Sequence, residues 1–200
     1  MRVELLHFTP IMIAVQAIRT CYNSCDKSDE LGEKDIKLIK SIIANNHTST
    51  IEHISYNFKI SGISRALLQE LARHRIASLS VKSTRYTLRE LKGKNQDALK
   101  DYLVKISDSI DEYNRFRLAT MQALINEQNL TNDELKYLLP EAFKTELMLT
   151  INARSLRNLL ELRLSSKALK EFRELAKEIY KTIPEPHRVL FDDIVERFKN

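Results

Sequence analysis

The sequence contains little glycine, proline and cysteine, and each shortage argues against a class of structure. Three glycines and four prolines in 200 residues argue against long flexible linkers and low-complexity segments. Neither a Walker A loop nor G-x-G-x-x-G occurs, so any bound nucleotide must be held by side chains. Cys21 and Cys25 are the only cysteines; a disulfide framework or a four-ligand zinc site would need more ligands. No run approaches the roughly 18 apolar residues of a membrane span, and we expect a cytoplasmic protein without a metal.

What is present fits one folded domain with a mildly basic surface. With 43% hydrophobic residues, the chain can bury a substantial core, and we predict a single domain over residues 1–200. Lys and Arg number 32 against 27 Asp and Glu, a formal net charge of +5. This excess is compatible with nucleic acid, nucleotides or another polyanion, and it does not select among them.

The hydrophobic pattern predicts an α+β (α/β) fold in which a small antiparallel sheet packs with several helices. Strands are expected at 3–8, 54–60 and 143–151. Helices are expected at 10–22, 34–46, 64–73, 97–129, 153–162, 167–183 and 186–198. Thr9 is the expected N-cap of the first helix, and Thr131 with Glu134 has the pattern of a capping box. Helices and strands do not alternate regularly, so a parallel sheet of βαβ units is not favoured.

A basic cluster occupies residues 73–86, with the sequence RHRIASLSVKSTRY. Guanidinium groups match phosphate oxygens in a bidentate way, and the hydroxyl groups add donors. The cluster therefore indicates a site for a nucleotide phosphate or a ring oxygen. A solvated basic turn and contact with an RNA backbone fit the same residues. Tyr86 is the only aromatic residue in this cluster, so a stacking surface for single strands is weakly indicated.

A second polar segment, residues 47–53, has the sequence HTSTIEH. Two histidines and a glutamate suggest zinc, but the spacing is not His-Glu-x-x-His, and His47 and His53 do not share a helix face. A turn between helix and strand, with Ser49 and Thr50 as turn formers, is favoured over a metal site.

A third polar segment, residues 152–163, has the sequence NARSLRNLLELR and predicts a helix with leucines on one face. We expect Arg157 and Glu161 to form an ion pair one helical turn apart. Arg154 has no charge complement on the helix. Arg163 projects onto the leucine side, so it needs an anionic or hydrogen-bonding partner if the helix continues that far.

These three segments, in this order, resemble the flavin-dependent thymidylate synthases. That family's signature of Arg-His-Arg, seven residues and Ser is matched by residues 73–83, RHRIASLSVKS. The family's turn ending in Glu-His is matched by HTSTIEH, and its Asn-Ala-Arg-Ser with a later Asn and Arg is matched by residues 152–163. RTCY at residues 19–22 is also similar. The resemblance covers about residues 1–190.

The resemblance implies the reductive methylation of dUMP to dTMP. In that family methylenetetrahydrofolate donates the one-carbon unit, reduced FAD delivers a hydride, and NADPH reduces the flavin. The resemblance also implies a homotetrameric methyltransferase that binds FAD and dUMP where subunits meet.

The resemblance further assigns candidate site residues by position. Contacts to FAD are expected from Cys21, His47, Ser49, Glu52, Arg73, His74, Arg75, Ile76, Asn152, Arg154 and Asn158. Contacts to dUMP are expected from Ser83, Thr84, Arg85, Lys136, Glu70 and Arg163. Arg163 is the expected catalytic residue, because an arginine holding the uracil ring would polarise it for attack at carbon 5. Ser83 has no evident histidine–carboxylate pair to activate it as a nucleophile, so a binding and orienting role is expected.

The chain departs from the family pattern at four positions. Ser80 stands where many members have Asn, and Glu70 where many have Gln. Lys136 replaces an Arg expected on the dUMP phosphate, which keeps the charge but not the fork of donors. Lys167 stands where some members have a histidine near the flavin. The departures at Glu70, Ser80 and Lys136 leave open a family member that binds nucleotide without catalysis. The basic residues 73–89 leave open a second alternative, an RNA-binding module.

Overall fold

The structure, a computed structural model, describes residues 1–127 and 130–198, without the side chains of Gln96 and Glu127. The strands in these residues are β1 Arg2–Phe8, β2 Ser55–Ser64, β3 Ala77–Val81 and β4 Lys144–Asn152. The α-helices in the same residues are α1 Met12–Cys21, α2 Glu33–Ala44, α3 Arg65–Leu71, α4 Thr84–Thr87, α5 Gln96–Leu99, α6 Asp108–Glu127, α7 Asn132–Leu135, α8 Ala153–Arg163, α9 Lys170–Thr182 and α10 Asp192–Arg197. Turns of 3₁₀-helix connect several of them.

The four strands form one antiparallel sheet in the order β1-β2-β4-β3. In β2, Tyr56, Phe58 and Ile60 are fully buried, and the polar residues between them are half-buried or exposed. Successive residues of a strand point to opposite faces, so one face of β2 supplies core side chains. On the other face Asn57 Nδ2 donates to Thr150 Oγ1 of β4 across 2.7 Å. The predicted α+β fold with a small antiparallel sheet is confirmed.

The chain divides into two compact units. Unit 1 contains Met1, Ser61–Arg73 and Ser80–Leu147, and unit 2 contains Arg2–Ile60, His74–Leu79 and Met148–Asn200, as far as they are described. The core of unit 1 is a cluster of buried leucines with Met121 and Phe143. The core of unit 2 includes Phe172 and Phe191, both fully buried. A single domain over residues 1–200 stays a prediction.

The prediction of one long helix over residues 97–129 is wrong. Helix α5 ends at Leu99, and Leu103 then forms an isolated antiparallel bridge with Phe143. Val104 N donates to Ala142 O across 2.9 Å. Leu103 is buried in the core of unit 1, so burial and non-local backbone pairing outweigh the helical propensity of this segment. Helix α6 begins later, and the predicted end at 129 lies outside the described residues.

The expected caps have different outcomes. Thr131 and Glu134 form the predicted capping box, and Ser64 accepts from Leu67 N as the predicted cap of α3. Thr9 is not the N-cap of α1: its Oγ1 accepts from Ser55 N at 3.2 Å, and its N–H donates to Ser55 O at 2.9 Å. Because Thr9 continues the pairing of β1 with β2, it is not available to the helix.

A buried ion pair joins α1 to α2 within unit 2. Arg19 is 5% exposed and Asp35 0%, and Arg19 Nε donates to Asp35 Oδ1 at 2.8 Å. Ser28 Oγ and Leu31 N donate to the other carboxylate oxygen at 2.7 and 3.1 Å. Burial alone would raise the pKa of Asp35, but these hydrogen bonds and the Arg19 charge outweigh it and lower the pKa to about 2. The ionised carboxylate of Asp35 therefore connects α1 to the loop that follows it.

We expect Asp35→Asn to lower the free energy of unfolding by about 3–5 kcal/mol, because it leaves the buried Arg19 guanidinium without its counter-charge. Urea denaturation at neutral pH measures this change. The pKa of Asp35 is lowered from 3.8 to about 2 by folding. Its stabilising contribution is therefore complete above the unfolded pKa and is lost as the pH falls towards 2.

The control for this prediction is Asp26→Asn, because Asp26 is an exposed residue of the same loop. It should leave the free energy of unfolding within about 0.5 kcal/mol of the parent. Between pH 5 and pH 2, Asp35→Asn should lose about 2 kcal/mol less stability than the parent does. If the free energy of unfolding depends on pH equally in the parent and in Asp35→Asn, the stabilising role assigned to the ionised Asp35 carboxylate is contradicted.

Candidate active site

Helix α8 presents one buried face and one polar face. Leu156, Leu159 and Leu160 are fully buried, whereas Arg154 and Asn158 are exposed. The leucine stripe anchors the helix in the core of unit 2, and the polar side chains necessarily point the other way. The predicted helix and its amphipathic pattern are confirmed. Asn152, an expected FAD contact, caps this helix by accepting from Ser155 N through Oδ1 at 2.8 Å.

The polar face of α8 lies against the 3₁₀ turn Thr48–His53. Arg154 Nη1 donates to Glu52 Oε1 at 2.5 Å, so Arg154 has a charge partner, on another element. Both side chains are about half-exposed. His47 and Ser49 at the start of the turn are also exposed. The fold of unit 2 thus brings the HTSTIEH and NARSLRN segments together.

Helix α1 packs on the same turn and ends at Cys21. The side chain of Cys21 is exposed. The reason is its place at the last position of α1, where the helix face that packs into the core has already ended.

Arg163, the last residue of α8, is half-buried and has defined partners. Its Nε donates to His74 Nε2 at 3.0 Å, and its guanidinium lies over the Phe172 ring, 4.5 Å from the centroid. His74 is buried and meets the same ring edge-on, with centroids 5.7 Å apart. The helix therefore does continue to Arg163, and a histidine supplies the hydrogen-bonding partner that the sequence required. Because Nε2 accepts, His74 carries its proton on Nδ1.

The predicted ion pair between Arg157 and Glu161 is wrong. Arg157 binds both carboxylate oxygens of Asp193 in α10, at 2.6 and 2.7 Å, and also donates to Leu190 O. Glu161 instead accepts from Arg197 at 3.0 Å. Burial acts against the ionised carboxylate of Asp193, but the hydrogen bonds and charge of Arg157 lower its pKa. Tertiary partners thus replace the local pair because a bidentate contact has better geometry than a pair on the helix surface.

In unit 1, α4 packs on α7, and four of the expected dUMP residues lie in or next to these two helices. Arg85 Nε lies 3.2 Å from Asp133 Oδ2, and Lys136 Nζ lies 3.7 Å from Asp133 Oδ1. Thr84 is the first residue of α4, and Ser83 is its N-cap. The carboxylate of Asp133 therefore lies close to two cations.

The other signature residues of unit 1 and unit 2 face solvent. Arg73 is exposed and lies 3.7 Å from Glu70. Arg75 is exposed and forms no ion pair with a described side chain, and Ile76 is 72% exposed. His74, between them in sequence, is the buried member of the motif. The exposed cations suit a dissolved anionic ligand, whereas His74 is engaged with Arg163.

Sequence reasoning missed two residues of this arrangement. Phe172 lies under Arg163 and His74, and Asp133 links Arg85 to Lys136. Phe172 has the signal of a core residue in an amphipathic helix. Asp133 has the signal of a residue in the first turn of the capped helix α7. Both sequence patterns are common at positions that serve only the fold, so the sequence alone does not mark Phe172 or Asp133 as part of a site.

No helix in the described part of the chain is long and apolar enough to cross a membrane. Within the same residues, no group of three His, Cys, Asp or Glu side chains could hold a metal ion. The cytoplasmic location and the independence of metal stay predictions.

Comparisons with known proteins show which family the chain resembles. A family model described as thymidylate synthase complementing protein matches residues 4–187. A flavin-dependent thymidylate synthase from Helicobacter pylori is 49% identical over 98% of this chain and 100% of that protein. The chain belongs to the flavin-dependent thymidylate synthase family. A member from Wolinella succinogenes is 50% identical over 96% of this chain and 97% of that protein.

Solved structures of this family share the fold. A crystal structure of thymidylate synthase X from Helicobacter pylori, with FAD and dUMP, has a TM-score of 0.94 and 46% identity, and the match covers 100% of both chains. A second structure from that organism, complexed with FAD and dUMP, has a TM-score of 0.93 and 47% identity, and covers 97% of this chain and 99% of that chain. The family assignment made from the three motifs is confirmed.

We expect Arg154 and Arg157 of α8 to differ in their contribution to stability. Arg157→Ala should lower the free energy of unfolding by about 1.5–3 kcal/mol, because it removes a mostly buried, bidentate charged contact. Arg154→Ala should cost less than about 1 kcal/mol, because its pair with Glu52 is solvent-exposed. Urea denaturation of both variants measures the difference. Equal losses of stability would contradict this division.

Proposed function

We propose that this chain catalyses the FAD-dependent reductive methylation of dUMP to dTMP. The observation that carries the proposal is the Arg163 guanidinium, held by the His74 ring and Phe172 at the end of α8. The related structures from Helicobacter pylori contain FAD and dUMP. A fixed, always-charged donor group suits a pyrimidine whose ring gains negative charge during the reaction.

The residues assigned to FAD fit that cofactor chemically. FAD contains an anionic pyrophosphate, and the exposed side chains of Arg73 and Arg75 supply charged donors. Arg73 lies 3.7 Å from Glu70, and Arg75 forms no ion pair with a described side chain. His47 and Ser49 add exposed hydrogen-bonding groups. Arg154 is kept in position by Glu52. When bound, FAD supplies the hydride for reduction of the one-carbon unit.

Arg163 acts by orienting and polarising the uracil ring. Its Nε bond to His74 and its stacking on Phe172 restrict the guanidinium plane. A donor fixed before the reaction needs no reorganisation when charge develops on the substrate. His74 is therefore a positioning residue for Arg163, in addition to the FAD contact that the resemblance implies, which stays a prediction.

The dUMP phosphate is assigned to the residues gathered by Asp133. Arg85 and Lys136 share that carboxylate, and a phosphate dianion would give both cations a stronger acceptor. Ser83 and Thr84 add hydroxyl donors beside them. Lys136 contributes charge without a bidentate fork, so Arg85 carries the directional contact.

Methylenetetrahydrofolate as the carbon donor, NADPH as the reductant and a homotetramer with ligands between subunits belong to the same proposal. They rest on membership of the family. The alternative of an inactive nucleotide-binding member is separated from the enzyme by measuring dTMP. No feature of the described residues favours the RNA-binding alternative over the enzyme, because basic and acidic residues are nearly equal in unit 1.

We expect purified protein to bind FAD and to change the visible spectrum of the flavin when dUMP is added. With methylenetetrahydrofolate and NADPH it should form dTMP, measured by chromatography of the nucleotides. Bound flavin with a dUMP response but without dTMP would support the inactive family member. Flavin that washes through without a response to dUMP would overturn the proposal.

We expect Arg163→Ala to reduce kcat about 10²–10³-fold, as for loss of a fixed donor to a developing anion. Flavin content should stay within about twofold of the parent. His74→Ala should reduce kcat less, and adding it to Arg163→Ala should cause little further loss, because His74 acts through Arg163.

The matched control is Arg197→Ala, because Arg197 is an exposed arginine whose partner is Glu161 on the surface of α8. It should leave kcat and KM near the parent values. Fully additive losses in the His74 and Arg163 double variant would show that His74 does not act by positioning Arg163.

A further inference from the structure

A cavity of about 650 Å³ lies in unit 1 next to the expected dUMP residues. Its lining includes the cations Arg85, Arg89 and Lys92 and the apolar side chains of Ile125 and Leu135. This volume suits part of a small-molecule substrate. The combination of cations with apolar wall indicates a ligand that carries negative groups on a hydrocarbon frame.

The positive charge of the cavity is only partly compensated. Asp133 is the acidic residue of the lining, and it already serves Arg85 and Lys136. Arg89 and Lys92 are exposed and form no ion pair with any side chain that the structure describes. Two cations therefore remain for an incoming anion, in addition to those assigned to the dUMP phosphate.

The three cations of the lining form a row along the chain. Arg85 lies in α4, Arg89 lies in the 3₁₀ turn Leu88–Leu91 that follows it, and Lys92 comes directly after that turn. A single phosphate is best held by donors that converge on one point. A row of cations suits an extended chain with several separate carboxylates.

We infer that this cavity binds the γ-linked oligoglutamate tail of methylenetetrahydrofolate, with Arg89 and Lys92 pairing with successive carboxylates. The inference rests on the proposed function, which makes a folate the carbon donor. The Ile125 and Leu135 side of the cavity contacts the methylene groups of the glutamates and the aminobenzoyl ring that precedes them. Arg85, at one end of the row, links the tail site to the residues assigned to dUMP.

A nucleic acid is a less suitable occupant than an oligoglutamate. Basic and acidic residues are nearly balanced in unit 1, so the unit lacks the charge excess that supports backbone binding to a polyanion. A cavity with an apolar wall encloses a flexible tail better than it follows a duplex or a long single strand. Two lining cations, Arg89 and Lys92, are without an ion pair among the described side chains, and this number suits an oligoglutamate of a few residues.

The test compares folates that differ only in the number of glutamates. For the parent enzyme, KM for the tetraglutamate should lie about tenfold below KM for the monoglutamate, which corresponds to about 1.4 kcal/mol. The Arg89→Gln/Lys92→Gln variant should remove this difference and leave kcat within about twofold, because tail binding contributes equally before and during the reaction. Raising the salt concentration should reduce the parent's preference, since the contacts are between exposed charges.

The matched control is Lys105→Gln/Arg115→Gln. It removes the same two charges from exposed positions of unit 1 that do not line the cavity. This control should keep the parent's preference for the tetraglutamate. If it loses the preference equally, the effect comes from net charge, and the assignment to the cavity is overturned.

Direct binding separates failure of this inference from failure of the proposed function. Calorimetric titration with p-aminobenzoyl-tetraglutamate should detect binding to the parent and to the control, and about tenfold weaker binding to Arg89→Gln/Lys92→Gln. Binding without dTMP formation would overturn the proposed reaction and support the tail site. Formation of dTMP with equal KM values for both folates would overturn the tail site alone. A variant that loses affinity for dUMP or for an oligouridylate, while the folate preference persists, would reassign the cavity to phosphate groups.

Discussion

Burial of the leucine face of α8 is the constraint on which the candidate active site depends. Three fully buried leucines fix the rotation of the helix, and every polar side chain on it then has a determined direction. Arg154 meets Glu52, Arg157 meets Asp193, and Arg163 meets His74. Three arginines on one helix thus reach three different environments. Their roles differ because their burial and partners differ, although their chemistry is the same.

Carboxylates hold the cations of both candidate sites in position. The sequence contains no Gly-rich phosphate-binding motif, so the proposed sites use guanidinium and ammonium groups for the phosphates. An isolated flexible arginine loses side-chain entropy when it binds a ligand. Glu52 and Asp133 reduce that loss by ordering Arg154 and Arg85 beforehand. Because these pairs are exposed, they contribute little to stability and leave the cations able to accept a better anion.

Stability and function draw on different ion pairs in this protein. The Arg19–Asp35 pair is fully enclosed and hydrogen-bonded on both carboxylate oxygens, so removing one partner is costly. The pair of Arg85 with Asp133 is open to solvent, so exchanging its partner is not. The enclosed pair orders the loop after α1, and the open pair lies where the ligand phosphate is assigned. A buried cation needs a counter-charge from the protein itself, whereas an exposed cation can take its counter-charge from a substrate.

The sequence by itself determined the features whose causes are local. The alternation in β2, the leucine stripe of α8 and the capping box at Thr131 each depend on residues within one or two turns, and the motif order was enough to identify the family. Tertiary structure alone decided the interruption after α5, the Asp193 partner of Arg157 and the stacking of Arg163 on Phe172. Each of these depends on contacts between residues far apart in the chain. Local propensity does not encode such contacts, because their free energy comes from burial and from partners that only the folded chain brings within reach.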